Sequence, residues 1–329
     1  MLYESERRVA VKAVLKACGL CQAVRDALGP GETMAKRDKS PVTVADFGSQ
    51  ALICLDLLNA FPDDPIAAEE DAAGLRTPSG MALKAKITHH VNAIIPGMTD
   101  DEILAMIDRG TWPGGPRGRC WVLDPIDGTK GFLRGDQYAV ALALVEEGEV
   151  VLGVLGCPNL PLEATRPDGT KGSLFVAIKG QGATVRRFDD PSEQRIIVAE
   201  SADPAKASYC ESVEEAHSSH ELTARVVALL GVETPPVRVD SQCKYGLIAR
   251  GDASIYLRFP RAGYEEKIWD HAAGSIIVKE AGGEVTDAHG RPLDFSRGRT
   301  LHHSAGVVVT NGKFHARVLA AVRQALSPA

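Results

Sequence analysis

Apolar residues near the start of the chain recur at helical spacing. Val11, Val14, Leu15, Cys18 and Cys21 fall on one face of a helix predicted over residues 4–28, ending near "LGPGE". A second helix is predicted to begin after "SPVTVADFGSQ" and to run through "ALICLDLLNAF" to Pro62. Residues 63–118 are mixed, with helical signals around "DDEILAMIDRG" and a loop in "GTWPGGPRGR". The period then changes. "YAVALALVEEGEVVLGVLGCP" is two apolar runs about a polar, glycine-containing turn, and "SLFVAIKGQGATVRR" repeats the design with "KGQG" as its turn, so both read as antiparallel hairpins. From "RIIVAES" onward, strands alternate with helices predicted at 220–230, 243–251 and 270–281. The pattern divides the chain into an α+β lobe over 1–193 and an α/β lobe over 194–329, with no internal repeat.

Composition narrows the class of protein. A chain of 329 residues can bury a large core in two lobes, and 44% hydrophobic with 24% charged residues is ordinary for a globular protein. The net charge of −6 argues against polymeric nucleic acid as a partner. It leaves room for a small anion, because a bound metal reverses the local sign. No run is long and apolar enough to span a bilayer, and "MLYESERRVAVKAVLKACGL" lacks a secretory pattern. Seven cysteines, an odd number, fit a reducing compartment, so a cytoplasmic location without membrane attachment is expected. Cys18 and Cys21 form C-x-x-C, but no second such pair completes a zinc site, and both thiols share the apolar helix face. Helix packing is the expected role.

The candidate chemistry lies in "CWVLDPIDGTKGF", residues 120–132. Trp121, Val122 and Leu123 read as the end of a buried strand, which Pro125 stops because it has no backbone N–H. Gly128 permits a tight turn and Thr129 can cap the helix that follows. Asp124 and Asp127 are thereby set at the carboxyl end of a strand beside a helix N-terminus, where carboxylates gather hard cations and amides gather phosphate. Asp-x-x-Asp alone is also ordinary turn chemistry. Three further acidic clusters could join it: Asp46 after Thr43, "EED" at Glu69, Glu70 and Asp71, and Asp270 in "KIWDHAAGSIIVKEAGG". Each has a plain alternative as an N-cap or a solvated loop.

"DPIDGTKGF" followed by "WDHAAGSIIVKEAGGEVTD" resembles the paired signatures of the lithium-sensitive, magnesium-dependent phosphatases related to inositol monophosphatase. "VTVADFGSQALI" and "EED" fall where that superfamily places its other acidic motifs. Within it, "HSSHELTA", "DSQCKYGLIARGDASIYLRFP" and "YEEKIWDHAAG" are similar to stretches of the bisphosphate nucleotidases, which remove the 3′-phosphate from 3′-phosphoadenosine 5′-phosphate. The resemblance covers most of the chain and is weakest over 72–118 and 185–210. It implies an α/β fold, a layered α-β-α-β-α sandwich with an antiparallel sheet in the first lobe.

The resemblance also implies roles. Glu69, Asp124, Asp127, Asp270 and the carbonyl of Ile126 would hold two magnesium ions. Asp46 would hold a third, weaker one and, with Thr129, orient the attacking water; Glu69 shares in catalysis. Glu70 and Asp71 would support the neighbouring shell. Gly128 and Thr129 would cradle phosphate, and His217, Ser241, Lys244, Arg258 and Asp270 would contact the nucleotide, with His220 as an alternative to His217. Zinc binding by "HSSH" lacks a nearby third ligand, and a polar helix start is the plainer reading. Glu69 and Asp124 are 55 residues apart, room for a rim over a larger substrate or for ornament. The expected partner is a small nucleotide bisphosphate, including 3′-phosphoadenosine 5′-phosphosulfate, bound by a monomer or weak homodimer. A phosphatase for inositol mono- or polyphosphates and a non-catalytic nucleotide sensor are the alternatives.

Overall fold

The computed structural model describes residues 2–27, 33–35, 41–115, 118–163, 169–214, 219–260 and 264–327. The first half contains α1 (Glu4–Asp26), the short hairpin β1 (Thr33–Ala35) and β2 (Pro41–Thr43), α2 (Val44–Ala60), β3 (Ile66–Ala68), α3 (Met81–Ile94), α4 (Asp100–Asp108), β4 (Arg119–Asp127) and α5 (Thr129–Arg134). An antiparallel run follows: β5 (Ala139–Glu146), β6 (Glu149–Pro161), β7 (Lys171–Ile178), β8 (Gly182–Arg187) and β9 (Gln194–Ile196). The remainder holds β10 (Tyr209–Glu211), α6 (His220–Leu229), β11 (Val237–Arg238), α7 (Cys243–Ala249), β12 (Ile255–Arg258), α8 (Ala272–Glu280), β13 (Glu284–Thr286), β14 (Val307–Thr310) and α9 (His315–Leu326).

Two sheets result. Strands β3 to β9 form one sheet in sequence order, with β3 parallel to β4 and the rest antiparallel. The second runs β11-β10-β12-β14-β13 and is mixed. Alternation along the strands sends side chains to three cores. Trp121 and Leu123 join α1 to α4 on one face of the first sheet, while Val122 on the other face meets α7, α8 and the inner face of the second sheet. Ile255 and Leu257 face outward from the second sheet onto α6 and α9. The order is therefore α-β-α-β-α, the expected sandwich. The first sheet ends at Ile196, just past the expected division at 193, and its inner face is covered by α7 and α8 from the second half.

The two hairpins and the first helix lie where the pattern puts them, and Cys18 and Cys21 are buried against the sheet. Two helices carry no earlier expectation, α3 and α9. Helix α2 begins at Val44 rather than after Gln50, because Thr43 and Asp46 form a capping box: Thr43 Oγ1 accepts from the amides of Ala45 and Asp46, and Thr43 N donates to Asp46 Oδ2 at 2.8 Å. Among the described residues, no helix is long and apolar enough to cross a membrane.

Candidate active site

Backbone hydrogen bonding builds the first half of the site. The parallel register pairs Ala68 with Leu123, so Glu69 and Asp124 leave neighbouring strands at the same edge; Glu69 N donates to Leu123 O at 3.2 Å. On the other side of β4, Asp124 pairs with Ala141 and Asp127 with Ala139, so Pro125 and Ile126 together face one residue of β5. Such a bulge bends the strand and re-aims its side chains, and Pro125 can occupy it because no ladder amide is needed there. Gly128 then turns the chain at φ +88°, and a Cβ there would stand 3.0 Å from Ser241 Cβ, so both conformation and space call for glycine.

Gly128, not Thr129, is the residue preceding α5, and it offers no side-chain cap. The Thr129 hydroxyl is instead turned toward Asp46 Oδ1 at 3.2 Å and Ile126 O at 3.3 Å. Asp46 is fully buried, its Oδ2 also accepting from the Thr43 hydroxyl at 2.5 Å. It stands behind Thr129, and the pocket wall does not include it.

Side chains build the second half. Ser241 is held in the left-handed region at φ +67°, a conformation uncommon for a residue with a Cβ. Its strain presents the next amide, Gln242 N, to Asp127 Oδ2 at 2.6 Å. The Gln242 side chain donates to Trp269 O at 2.8 Å and accepts from Gly274 N at 2.9 Å, joining α7 to the turn that carries Asp270. That turn is a 3-10 segment over Ile268–Asp270, and α8 starts beyond it after His271, so Asp270 is not an N-cap. Arg258 reaches from β12 to Glu266, with Nε 2.8 Å from Oε1, and to Asp270 Oδ2 at 3.0 Å. Glu266 also meets His271 Nε2 at 3.1 Å, and His271 Nδ1 meets the Tyr245 hydroxyl at 2.7 Å. Lys244 Nζ donates to Val239 O at 3.0 Å and sits 5.2 Å above the Tyr256 ring.

Glu69, Asp124, Asp127 and Asp270 line one pocket with Ile126, Thr129, Ser241, Lys244 and Arg258. Burial, reinforced by the Asp127 charge and opposed by Arg258, pushes Asp270 up to about 7. Asp127 is likewise raised by burial, with Glu69 adding to the rise while Lys244 and Arg258 oppose it. Burial lowers Lys244, against the pull of Asp127. Crowded carboxylates that resist full ionisation favour a cation among them. The donors fit a hard one, since among the described lining residues there are oxygens from carboxylates, hydroxyl and carbonyl but no thiolate or imidazole. A second acidic group, Glu266, Asp270 and His271, has ligand atoms within 4.8 Å of one another, but the Arg258 guanidinium already pairs with both of its carboxylates. There burial pushes the Glu266 carboxyl up, yet Arg258 and His271 outweigh it and hold the group at about 2.

His217 lies outside the described residues. His220 stands in the first turn of α6 with Nε2 3.0 Å from Ser212 O, and Ser219 caps that helix by accepting from Leu222 N at 3.2 Å, as a polar helix start should. Glu70 is buried with its amide on Gln50 Oε1 at 3.1 Å, and Asp71 is exposed, accepting from Ala73 N at 2.8 Å. Three supporting residues had no earlier expectation. Gln50 clamps the acidic loop by donating to Glu70 O at 2.6 Å and Ile107 O at 2.7 Å; Gln242 and Glu266 do the same for the second half. The usable signal was a glutamine inside the apolar run "SQALICL".

The model of the family described as "Inositol monophosphatase family" matches residues 3–327. A 3′(2′),5′-bisphosphate nucleotidase of Oryza sativa is 49% identical over 98% of this chain and 95% of its own length. The 3′(2′),5′-bisphosphate nucleotidase 1 of Arabidopsis thaliana is 49% identical over 99% of this chain and 98% of its own. Among solved structures, an inositol monophosphatase from Anabaena superposes with a TM-score of 0.64 at 20% identity, covering 98% of this chain and 97% of that one, a likeness of fold. With its carboxylates gathered on one pocket, the chain belongs to the inositol monophosphatase family, on the branch of the 3′(2′),5′-bisphosphate nucleotidases.

Proposed function

We propose that this chain is a magnesium-dependent phosphomonoesterase that hydrolyses the 3′-phosphate of 3′-phosphoadenosine 5′-phosphate to AMP and phosphate, and accepts 3′-phosphoadenosine 5′-phosphosulfate as well. The observation that carries the chemistry is the convergence of Glu69, Asp124, Asp127 and Asp270 on one pocket with Thr129 in its wall; the choice of nucleotide is supported by the named relatives. Glu69, Asp124, Asp127, Asp270 and the Ile126 carbonyl would hold the magnesium. Bound there, it supplies positive charge to the phosphate oxygens and makes water a better nucleophile at neutral pH.

The chain's own groups do the rest. Asp46 accepts the Thr129 hydroxyl hydrogen, which leaves Thr129 Oγ1 free to accept from the attacking water and fix its direction. Glu69, half-buried at the pocket edge, takes the water's proton. The first amides of α5 have no partner within the helix and, on residues that line the pocket, would donate to phosphate oxygens. Lys244 and Arg258 serve first as counter-charges to Asp127 and Asp270; Lys244 offers its remaining N–H groups to the nucleotide's second phosphate. Ser241 lines the same wall.

The test is kcat/KM for 3′-phosphoadenosine 5′-phosphate, adenosine 3′-monophosphate and inositol 1-phosphate, with magnesium and with chelator. The bisphosphate should be the best substrate, inositol 1-phosphate a poor one, and chelator should abolish turnover. A preference for inositol 1-phosphate would replace this substrate with a sugar phosphate, and full activity in chelator would remove the metal from the reaction.

A further inference from the structure

Arg299 lies on the chain between β13 and β14, in the second half of the molecule, yet its guanidinium serves the first. Nη1 donates to Gly110 O at 2.9 Å and to Trp112 O at 3.0 Å, and Nη2 donates to Ala68 O. Ala68 is the last residue of β3 and directly precedes Glu69. The same guanidinium lies 4.5 Å over the ring of Trp269, the residue directly before Asp270. Its backbone is fixed too: Ile268 N donates to Arg299 O at 3.1 Å, and Thr300 bridges Lys267. A planar cation that donates to three carbonyls along its edge while its face lies on a ring suits this place; an ammonium lacks the rigid fork that spans those carbonyls.

The neighbourhood leaves little slack. Ala68 N donates to Gly110 O at 2.8 Å, so that carbonyl serves both the strand and Arg299. A Cβ on Gly110 would come within 2.6 Å of both Ala68 Cβ and Gln50 Nε2. The strand end bearing Glu69 is therefore gripped by Gln50 from α2 and by Arg299 from the other half. Glu69 and Asp270 belong to different sheets' segments, 201 residues apart in the sequence, and Arg299 touches the residue before each. We infer that Arg299 is a positioning residue for the metal site, setting the distance between Glu69 and Asp270 through Ala68 and Trp269. This rests on the metal-binding reading of those two carboxylates.

A mere staple between the halves would affect stability alone, so the deciding readout is metal affinity without substrate. Magnesium binding to the full chain is measured by calorimetry for the parent, Arg299→Lys and Arg299→Gln, together with the rise in Tm that saturating magnesium produces in each. Comparing the rise rather than Tm itself keeps a destabilised variant informative. Arg299→Lys should bind magnesium roughly tenfold more weakly, as expected on losing a partner that orients a ligand, with a smaller metal-induced rise. In a Glu69→Gln background the same change should add little further loss, since the two act through one ligand. Parental magnesium affinity in both Arg299 variants overturns the inference, as does full additivity with Glu69→Gln. A parent chain that binds no magnesium would instead overturn the metal site itself, and this role with it.

Discussion

The two halves of the site hold their carboxylates by different means. Glu69, Asp124 and Asp127 are placed by strand register and a bulge, so their positions follow from main-chain hydrogen bonds of the first sheet. Asp270 is placed by side chains: Gln242 fixes the turn beneath it, and Arg258 holds its carboxylate while also pairing with Glu266. The first half takes its shape chiefly from the main chain, with Gln50 and Arg299 gripping the strand end that carries Glu69, and it concentrates like charge. The second half is electrically compensated but depends on every member of a buried network. On the proposed function, a site assembled this way would hold its geometry without metal and leave uncompensated negative charge for a cation to meet.

Arg258→Met should be the largest blow to the compensated half. It leaves Glu266 buried without its guanidinium, and losing one partner of a buried pair costs about 3–5 kcal/mol. Denaturant unfolding checks this. The pH sense follows from Glu266, held at about 2 in the folded chain against an ordinary 4.5. Its stabilisation is fully present above about 4.5 and is lost as pH falls toward 2; the deficit of Arg258→Met relative to the parent should therefore be largest above about 4.5 and shrink as pH falls toward 2. A deficit that stays the same across that range would mean that Arg258 and Glu266 are not coupled.

Asp127→Asn addresses the other half. It should lower kcat/KM on the order of a hundredfold or more, as removal of a stabiliser of transition-state charge does. The metal-free fold should melt no lower than the parent, because burial already disfavours the charged carboxyl there. Near-parental turnover in a folded Asp127→Asn chain would make Asp124 and Asp127 turn residues only. Gly128→Ala is the mildest change. The left-handed turn costs about 1–2 kcal/mol for a residue with a Cβ, and the new methyl pushes on Ser241. A roughly tenfold fall in kcat/KM with a lower Tm is expected; an unchanged kcat/KM would show that the bulge alone sets Asp127.

The same contrast explains what could be read from the sequence. Strand ends, hairpins and the Asp-Pro-Ile-Asp-Gly-Thr turn are local, and local chemistry is visible as period, proline and glycine. Helix α9 was equally legible, since Phe314, Val318, Ala321, Val322 and Ala325 keep helical spacing; α3 was fainter, its buried stripe thinned to Leu83, Ile87 and Val91 beside two histidines. The start of α2 is set by Thr43 and Asp46 acting together as a box, which neither residue signals by itself. Long-range partners are a different matter. Nothing in "IYLRFP" says that Arg258 is committed to Glu266 and Asp270, and nothing near Arg299 says that it reaches Ala68. Such pairs are decided by which segments the fold brings together, and the residues that support the ligands belong to this class.

The most direct test is to locate the metal. Crystals of this chain soaked in Mn²⁺, an anomalous scatterer that takes the oxygen ligands magnesium takes, would be mapped by anomalous difference density. The expected peaks lie among Glu69, Asp124, Asp127 and Asp270, with the Ile126 carbonyl in contact and Arg258 still on Glu266. A peak bound by Glu266 and His271 with Arg258 displaced, or density that leaves Glu69, Asp124 and Asp127 without metal, would contradict the site described above.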